Sequence, residues 1–446
     1  MGKHWKWLMP LPLFFMLVAC RNANPLQSDL HTVQETAKTE ISIAATNDNL
    51  TPLMISEFES NHPGIHLKRV EPNPYLLLNP NSIADVPDII SISLEDFPYY
   101  AQQGAALNLG PYVKDNAAFD SEALFPIVNF FRYNGSQHGS GDLYGFLKGW
   151  SPGSVLLYHK SLFDAADLPY PEREQPMTWD ELLEISRSLT IKHEEKHDQY
   201  GFGVLDENSI MNQNMYLLQM AQLGKTPWYS NYNKADFTSD ESKRIFQYWN
   251  QVLQYEIGPD PMNLVTNSSK ELFLEGKLAI LMADYGFAMQ VEQSALDPRD
   301  IGFAPLPLYE NGKHVLPFQS KSAAIIYSKT EHPDAAWKVF EWYLTGQPAR
   351  EWVTMHNEFP VSKAEASDLY ASSAWSRQVL NFFQQQINMV QPFPDFNPYV
   401  TNRVMNNLFD KYLIPVYFHK VELQTAMYKL SQDVYFEIQD HIQMAE

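Results

Sequence analysis

EISIAATNDNLTPLMISEFESNHPGIHLKRV, residues 40–70, is the stretch on which the fold turns. Glu40 to Ala45 reads as a strand that runs into the polar Thr46-Asn47-Asp48-Asn49. Thr51-Pro52 opens a helix reaching about Glu59, with proline in the first turn, where its missing N–H costs nothing. His62-Pro63-Gly64 stops that helix, and Ile65 to Val70 alternates as a second strand. Further on, Val86 to Ile92 is a buried-strand run leading to Leu94-Glu95-Asp96. The order β-α-β-α-β predicts an α/β layer with a parallel sheet. Such sheets bind ligands beyond the carboxyl ends of their strands. Asn47, Asp48, Glu95 and Asp96 are therefore candidate contacts, although each pair has the alternative role of capping the helix that follows.

Upstream, Lys3, His4 and Lys6 precede the apolar run Trp7 to Ala19, which is well short of the ~20 residues of a membrane-spanning helix. A charged start, a short apolar stretch and small residues before a break point predict a secretory signal over 1–19. Leu17-Val18-Ala19-Cys20 resembles the bacterial lipobox, in which cleavage falls before the cysteine and its thiol carries a diacylglycerol. Cys20 is the only cysteine in the chain, so it is the predicted lipidation site, and no disulfide is expected. Residues 20–37 read as a lipid-anchored flexible spacer.

The 446 residues leave room for two or three domains, and 45% hydrophobic with 19% charged residues describes a globular body. A formal charge of −21, more negative once Lys3 and Lys6 leave, argues against a nucleic-acid surface, which needs clustered Lys and Arg. Further strands are expected at Leu143–Leu147, Val155–Tyr158, Tyr200–Leu205, Leu278–Met282, Ile301–Ala304 and Ala323–Tyr327. Helices are expected at Ser161–Ala166, at Thr178–Leu189 behind a Thr178/Glu181 capping box, and at Asn212–Leu223, Asp240–Tyr255 and Pro333–Thr345. Residues 348–446 look helical. The glycines at 139 and 141 miss the dinucleotide-binding spacing because Tyr144 stands where the third glycine would be, and no cofactor is expected.

Six short stretches, in order, resemble the family 1 extracellular solute-binding proteins, the sugar-binding lipoproteins of ABC importers. They are Asn61-His62-Pro63-Gly64-Ile65, Pro87-Asp88-Ile89, Tyr158-His159-Lys160 with Thr178-Trp179-Asp180-Glu181-Leu182, Phe273 to Leu281, Ala304-Pro305-Leu306-Pro307, and His332 to Trp337. The resemblance implies a two-lobed periplasmic-binding-protein-like fold (type II), each lobe a mixed, mainly parallel sheet flanked by helices, with the ligand cleft between them. The solute-binding part would be 38–446, with lobe 1 at about 38–148 plus 304–346 and lobe 2 at about 149–303 plus 347–446. It also implies a carbohydrate ligand, ABC transporter permease subunits as partners and a membrane reached through Cys20. His159, Asp167 and Phe318-Gln319-Ser320 depart from the family pattern.

Sugars need flat apolar faces for C–H patches and planar polar groups for hydroxyls. Trp150, just past the first expected crossing, is the leading stacking candidate, the alternative being a packing tryptophan. Asp284 and Tyr285 follow a strand end and could take hydroxyls and a ring face, the alternative being a helix cap and a core tyrosine. Trp228-Tyr229 and Phe318-Gln319 complete the candidates.

His193-Glu194-Glu195-Lys196-His197 matches the helix-borne zinc signature H-E-x-x-H. The segment has no apolar face and runs into a strand, so it is expected to be a solvated loop, with no metal centre and no enzyme. A glycoside hydrolase would need two carboxylates across a cleft, and no motif selects such a pair. A surface lipoprotein that only docks with other proteins is the other alternative.

Overall fold

The computed structural model describes residues 38–73, 85–194, 196–204, 212–259, 267–315, 320–369, 371–387 and 395–445. Cys20, Phe318 and Gln319 lie outside them. In chain order the strands are β1 (Thr39–Ala44), β2 (Ile65–Val70), β3 (Ile89–Ile92), β4 (Arg132–Tyr133), β5 (Asp142–Leu143), β6 (Phe146–Leu147) and β7 (Gly149–Trp150). They continue with β8 (Ser154–His159), β9 (Ile191–His193), β10 (Lys196–Val204), β11 (Leu278–Asp284), β12 (Ile301–Ala304), β13 (Ala323–Ile326) and β14 (Phe359–Pro360). The architecture is mixed α/β with two five-stranded sheets.

The first sheet has the order β2-β1-β3-β13-β6. Ile41 and Ile43 of β1 are fully buried, and β1 pairs parallel to both β2 and β3, as the β-α-β-α-β order predicts. The intervening helix Pro52–Asn61 is capped by Thr51, whose hydroxyl accepts the Met54 N–H. β13 runs antiparallel to β3 and to β6, so β6 points the same way as β1 and β3. Leu143–Leu147 is not one strand. Tyr144-Gly145 breaks it, and a Cβ on Gly145 would lie 2.9 Å from the Phe131 ring and 3.1 Å from the Ala324 carbonyl, so only glycine lets β13 approach.

The second sheet has the order β12-β8-β11-β10-β9, with β10 and β11 parallel and β8 antiparallel to both β11 and β12. The helix Trp179–Leu189 covers it. Thr178 Oγ1 accepts the Glu181 N–H at 3.1 Å while Glu181 Oε2 accepts the Thr178 N–H at 2.7 Å, the reciprocal cap expected from the sequence. A Cβ on Gly201 of β10 would fall 1.9 Å from the Ser186 carbonyl oxygen, so this helix sits directly on the backbone of the strand.

The chain passes between the sheets three times. β7 pairs antiparallel with β14 (Trp150 with Phe359, Gly149 with Pro360), and Ser320 Oγ donates to the Gly149 carbonyl at 2.8 Å. One continuous buried core runs through both sheets and these crossings. Among the described residues no helix is long and apolar enough to cross a membrane.

Candidate functional site

The carboxyl ends of β1, β3 and β6 lie on one edge of the first sheet, the edge from which β6 leads into the crossing strand β7. On the second sheet Asp284, at the carboxyl end of β11, pairs with Ser154 at the start of β8, which follows from that same crossing. The Tyr285 N–H donates to Ser151 Oγ at 3.2 Å, fixing this end to the crossing. Both of these sheet edges therefore converge on the three passes of chain.

The residues after β3 reach across. Asn214, in the first turn of the helix Gln213–Gln222, donates through Nδ2 to Glu95 Oε1 at 2.9 Å. Asn402, the first residue of the helix Asn402–Tyr417, donates its backbone N–H to Asp96 Oδ1 at 2.7 Å, and Ser93 Oγ donates to Asp96 Oδ2 at 2.7 Å. Two carboxylates thus meet the N-terminal ends of two helices, where free N–H groups and the helix dipole favour negative charge. Burial nevertheless raises both carboxyls above their ordinary range, against the lowering effect of these hydrogen bonds, and in Glu95 the neighbouring charge of Asp96 adds to the rise. Asn214 Oδ1 and Asn402 Oδ1, and Gln213 Oε1 next in sequence to Asn214, are buried acceptors with no hydrogen-bond partner among the described residues. The seam continues through His138 Nε2, 3.4 Å from Asp395 Oδ1, and through an edge-on contact of Phe130 with Phe396.

The other candidates fall in different places. Asn47 and Asp48 are exposed after β1, and Asn47 Oδ1 accepts a hydrogen bond from Arg69. Trp150 is 3% exposed, lies against Phe125 and Phe359, and donates through Nε1 to the Pro360 carbonyl at 3.2 Å, so neither face of its ring is open in this conformation. Asp284 accepts the Phe287 N–H at 2.8 Å as the cap of the helix Tyr285–Gln290. Tyr285 is buried against Phe359 and Phe383, which pushes its phenol up to about 12. Trp228 is buried and donates to the Asp395 carbonyl, whereas Tyr229 is exposed beside Lys234.

A lysine missed by the sequence reading occupies the same edge. Lys148, directly after β6, is 3% exposed; its Nζ donates to the Asn49 carbonyl at 3.2 Å and lies 3.6 Å from the centre of the Tyr343 ring. Burial drives it down to about 7 despite the charges of Glu358 and Glu351. Glu358, just before β14, accepts from Trp352 Nε1 at 2.8 Å, and burial lifts it to about 7. A lone lysine in sequence reads as surface; only the pairing of crossings shows that this one is enclosed.

The H-E-x-x-H segment is a β9–β10 hairpin, not the expected loop and not a helix. Glu194 turns with φ +54°, and the pairs Lys196–His193 and His197–Lys192 put the two histidines on opposite faces of the ribbon. His197 stacks on Tyr200 at 4.5 Å while His193 stays exposed.

Comparison with solved structures gives the same architecture. An ABC substrate-binding protein from Listeria monocytogenes in complex with cycloalternan is 18% identical with TM-score 0.68, the alignment covering 90% of this chain and 99% of that one. The sugar-binding protein MalE from Xanthomonas citri gives 17%, 0.69, 91% and 99%, and a solute-binding protein from Agrobacterium vitis with bound D-mannitol gives 19%, 0.65, 91% and 98%. No curated protein sequence matches. Residues 44–347 match the family described as Bacterial extracellular solute-binding protein, which is more than half of the chain, and the chain belongs to that family.

Proposed function

We propose that this protein captures a carbohydrate, an oligosaccharide in particular, outside the cell and delivers it to the permease of an ABC importer. The lobes are the two sheets with their helices, about 38–148 plus 304–346 and about 149–303 plus 347–446, and the crossings are the hinge. The observation that carries this is the seam between them. Glu95 and Asp96 on one side face Asn214 and Asn402 on the other, and the buried side-chain oxygens of these two asparagines have no partner among the described residues. Sugar hydroxyls are donors as well as acceptors and suit such a wall. No bond is made or broken. Ligand held by one lobe gains contacts from the other only when the hinge closes, so the closed population rises with occupancy.

The bound ligands of the Listeria and Agrobacterium neighbours, a cyclic oligosaccharide and a polyol, support the ligand class. Lipid on Cys20 would hold the protein at the outer face of the cell membrane, its two acyl chains supplying the anchorage that one cannot. The test is a calorimetric titration of the protein with mono- and oligosaccharides. Saturable binding of one sugar class without turnover supports capture. Release of product points to a hydrolase, and a folded protein that binds none of them points to a docking lipoprotein.

A further inference from the structure

A second polar cavity lies away from the seam, on the second-sheet side of the molecule. Its volume is about 460 Å³, and none of the seam residues lines it. One wall is the helix Asp240–Gln254, which presents Gln247, Asn250, Gln251 and Gln254 at the spacing of a single helical face. From Ile245 to Tyr255 the sequence has no charged residue, although charged residues make up 19% of the chain. A solvated helix face ordinarily carries Lys and Glu; this one carries side-chain amides instead. None of the four amides hydrogen-bonds another described side chain.

Two tyrosines, Tyr248 on the same helix and Tyr309 off it, supply a second observation. Tyr248 and Tyr309 line the cavity at 3% and 2% exposure, and both hydroxyls are buried without a hydrogen-bond partner among the described residues. Burial raises both phenols, which stay protonated and keep their donors. At the corner the Arg244 guanidinium covers the Tyr309 ring at 4.5 Å and reaches Asp180 at 3.4 Å, neutralising the one carboxylate present. Buried hydroxyls left unpaired are a standing cost to the fold, and such groups in native proteins call for an explanation.

We propose that this cavity is a second carbohydrate site, taking the end of a neutral sugar chain or a polyol. Planar amides donate and accept in pairs, as vicinal hydroxyls require, and the tyrosines add two donors and a ring. The volume falls in the range of small-ligand pockets, roughly 300–1,000 Å³. No formal charge is left for an ionic ligand to satisfy.

The experiment is calorimetric and saturation-transfer titration of the full chain with maltose, cellobiose and mannitol. It compares wild type with Gln251→Leu/Gln254→Leu, with Tyr309→Phe and with the seam variant Asn214→Leu. At least one sugar should show a saturable component that the double variant weakens ~10-fold or more and Asn214→Leu leaves unchanged. Tyr309→Phe should weaken the same component without lowering Tm, since the hydroxyl it removes has no partner among the described residues. Binding lost only in Asn214→Leu overturns the second site while leaving interlobe capture intact. A signal that rises linearly with sugar and ignores the helix variants overturns it also, as does the absence of any signal.

Discussion

Asp96 accepts the backbone N–H of Asn402 at 2.7 Å across 306 residues of sequence. The bond joins the loop after β3 to the start of a helix near the end of the chain, so under the proposed hinge closure it belongs to the closed form. Removing the acceptor in Asp96→Ala leaves that N–H unpaired in the closed form at a cost of ~1–3 kcal/mol, while the open form hydrates it. Ligand affinity should fall roughly 10-fold, and the ligand-free radius of gyration should rise. Unchanged affinity and radius would remove Asp96 from closure.

Lys148 and Glu358 give the fold a pH dependence with opposite slopes. Glu358 is lifted to about 7 in the fold, so its contribution is fully present below the unfolded carboxyl value near 4.5 and is lost as pH rises through about 7. Lys148 is lowered to about 7, so the fold binds its proton less well than the unfolded chain; stability is regained as pH rises from about 7 toward 10.5. Tm measured against pH should therefore dip near neutrality. Glu358→Gln should flatten the acid limb alone and Lys148→Met the alkaline limb alone. A Glu358→Gln profile parallel to wild type would show that Glu358 is not held neutral.

Trp150 separates packing from ligand stacking. Its burial and its bond to the Pro360 carbonyl predict that Trp150→Ala costs ~3–5 kcal/mol in denaturant unfolding, as large core truncations do. A variant as stable as wild type but deficient in binding would return Trp150 to the ligand surface.

Asp284 allows a cleaner separation. Asparagine caps helices as well as aspartate does, so Asp284→Asn should unfold within a few tenths of a kcal/mol of wild type, whereas Asp284→Ala loses ~1 kcal/mol. Lost sugar binding in Asp284→Asn with stability kept would assign the carboxylate to the ligand.

For the anchor, Cys20→Ser should abolish labelling by radioactive palmitate and release the protein from membranes. Labelling that survives the substitution would contradict lipidation at Cys20.

The secondary-structure elements were legible because their signals are local. The strand run from Glu40, the proline start after Thr51, the Thr178/Glu181 box and the helix Pro333–Thr345 each rest on signals within a few residues, and each lies where the sequence places it. The site was less legible because its bonds are long-range. Asn214 and Asn402 look like ordinary helix-start residues, and only the tertiary fold brings them to Glu95 and Asp96. Trp150, Trp228 and Tyr285 were drawn toward the ligand by residue type, but β7–β14 pairing, the Asp395 carbonyl and Phe383 respectively enclose them. The H-E-x-x-H spacing carries a metal site only on a helix, and here it bends into a hairpin.

Capture by closure is tested most directly by small-angle scattering on samples taken through a calorimetric sugar titration. Saturable heat with one sugar class, no product, and a radius of gyration that falls in step with occupancy is the predicted result. Heat with no change in radius, or turnover of the sugar, would contradict it.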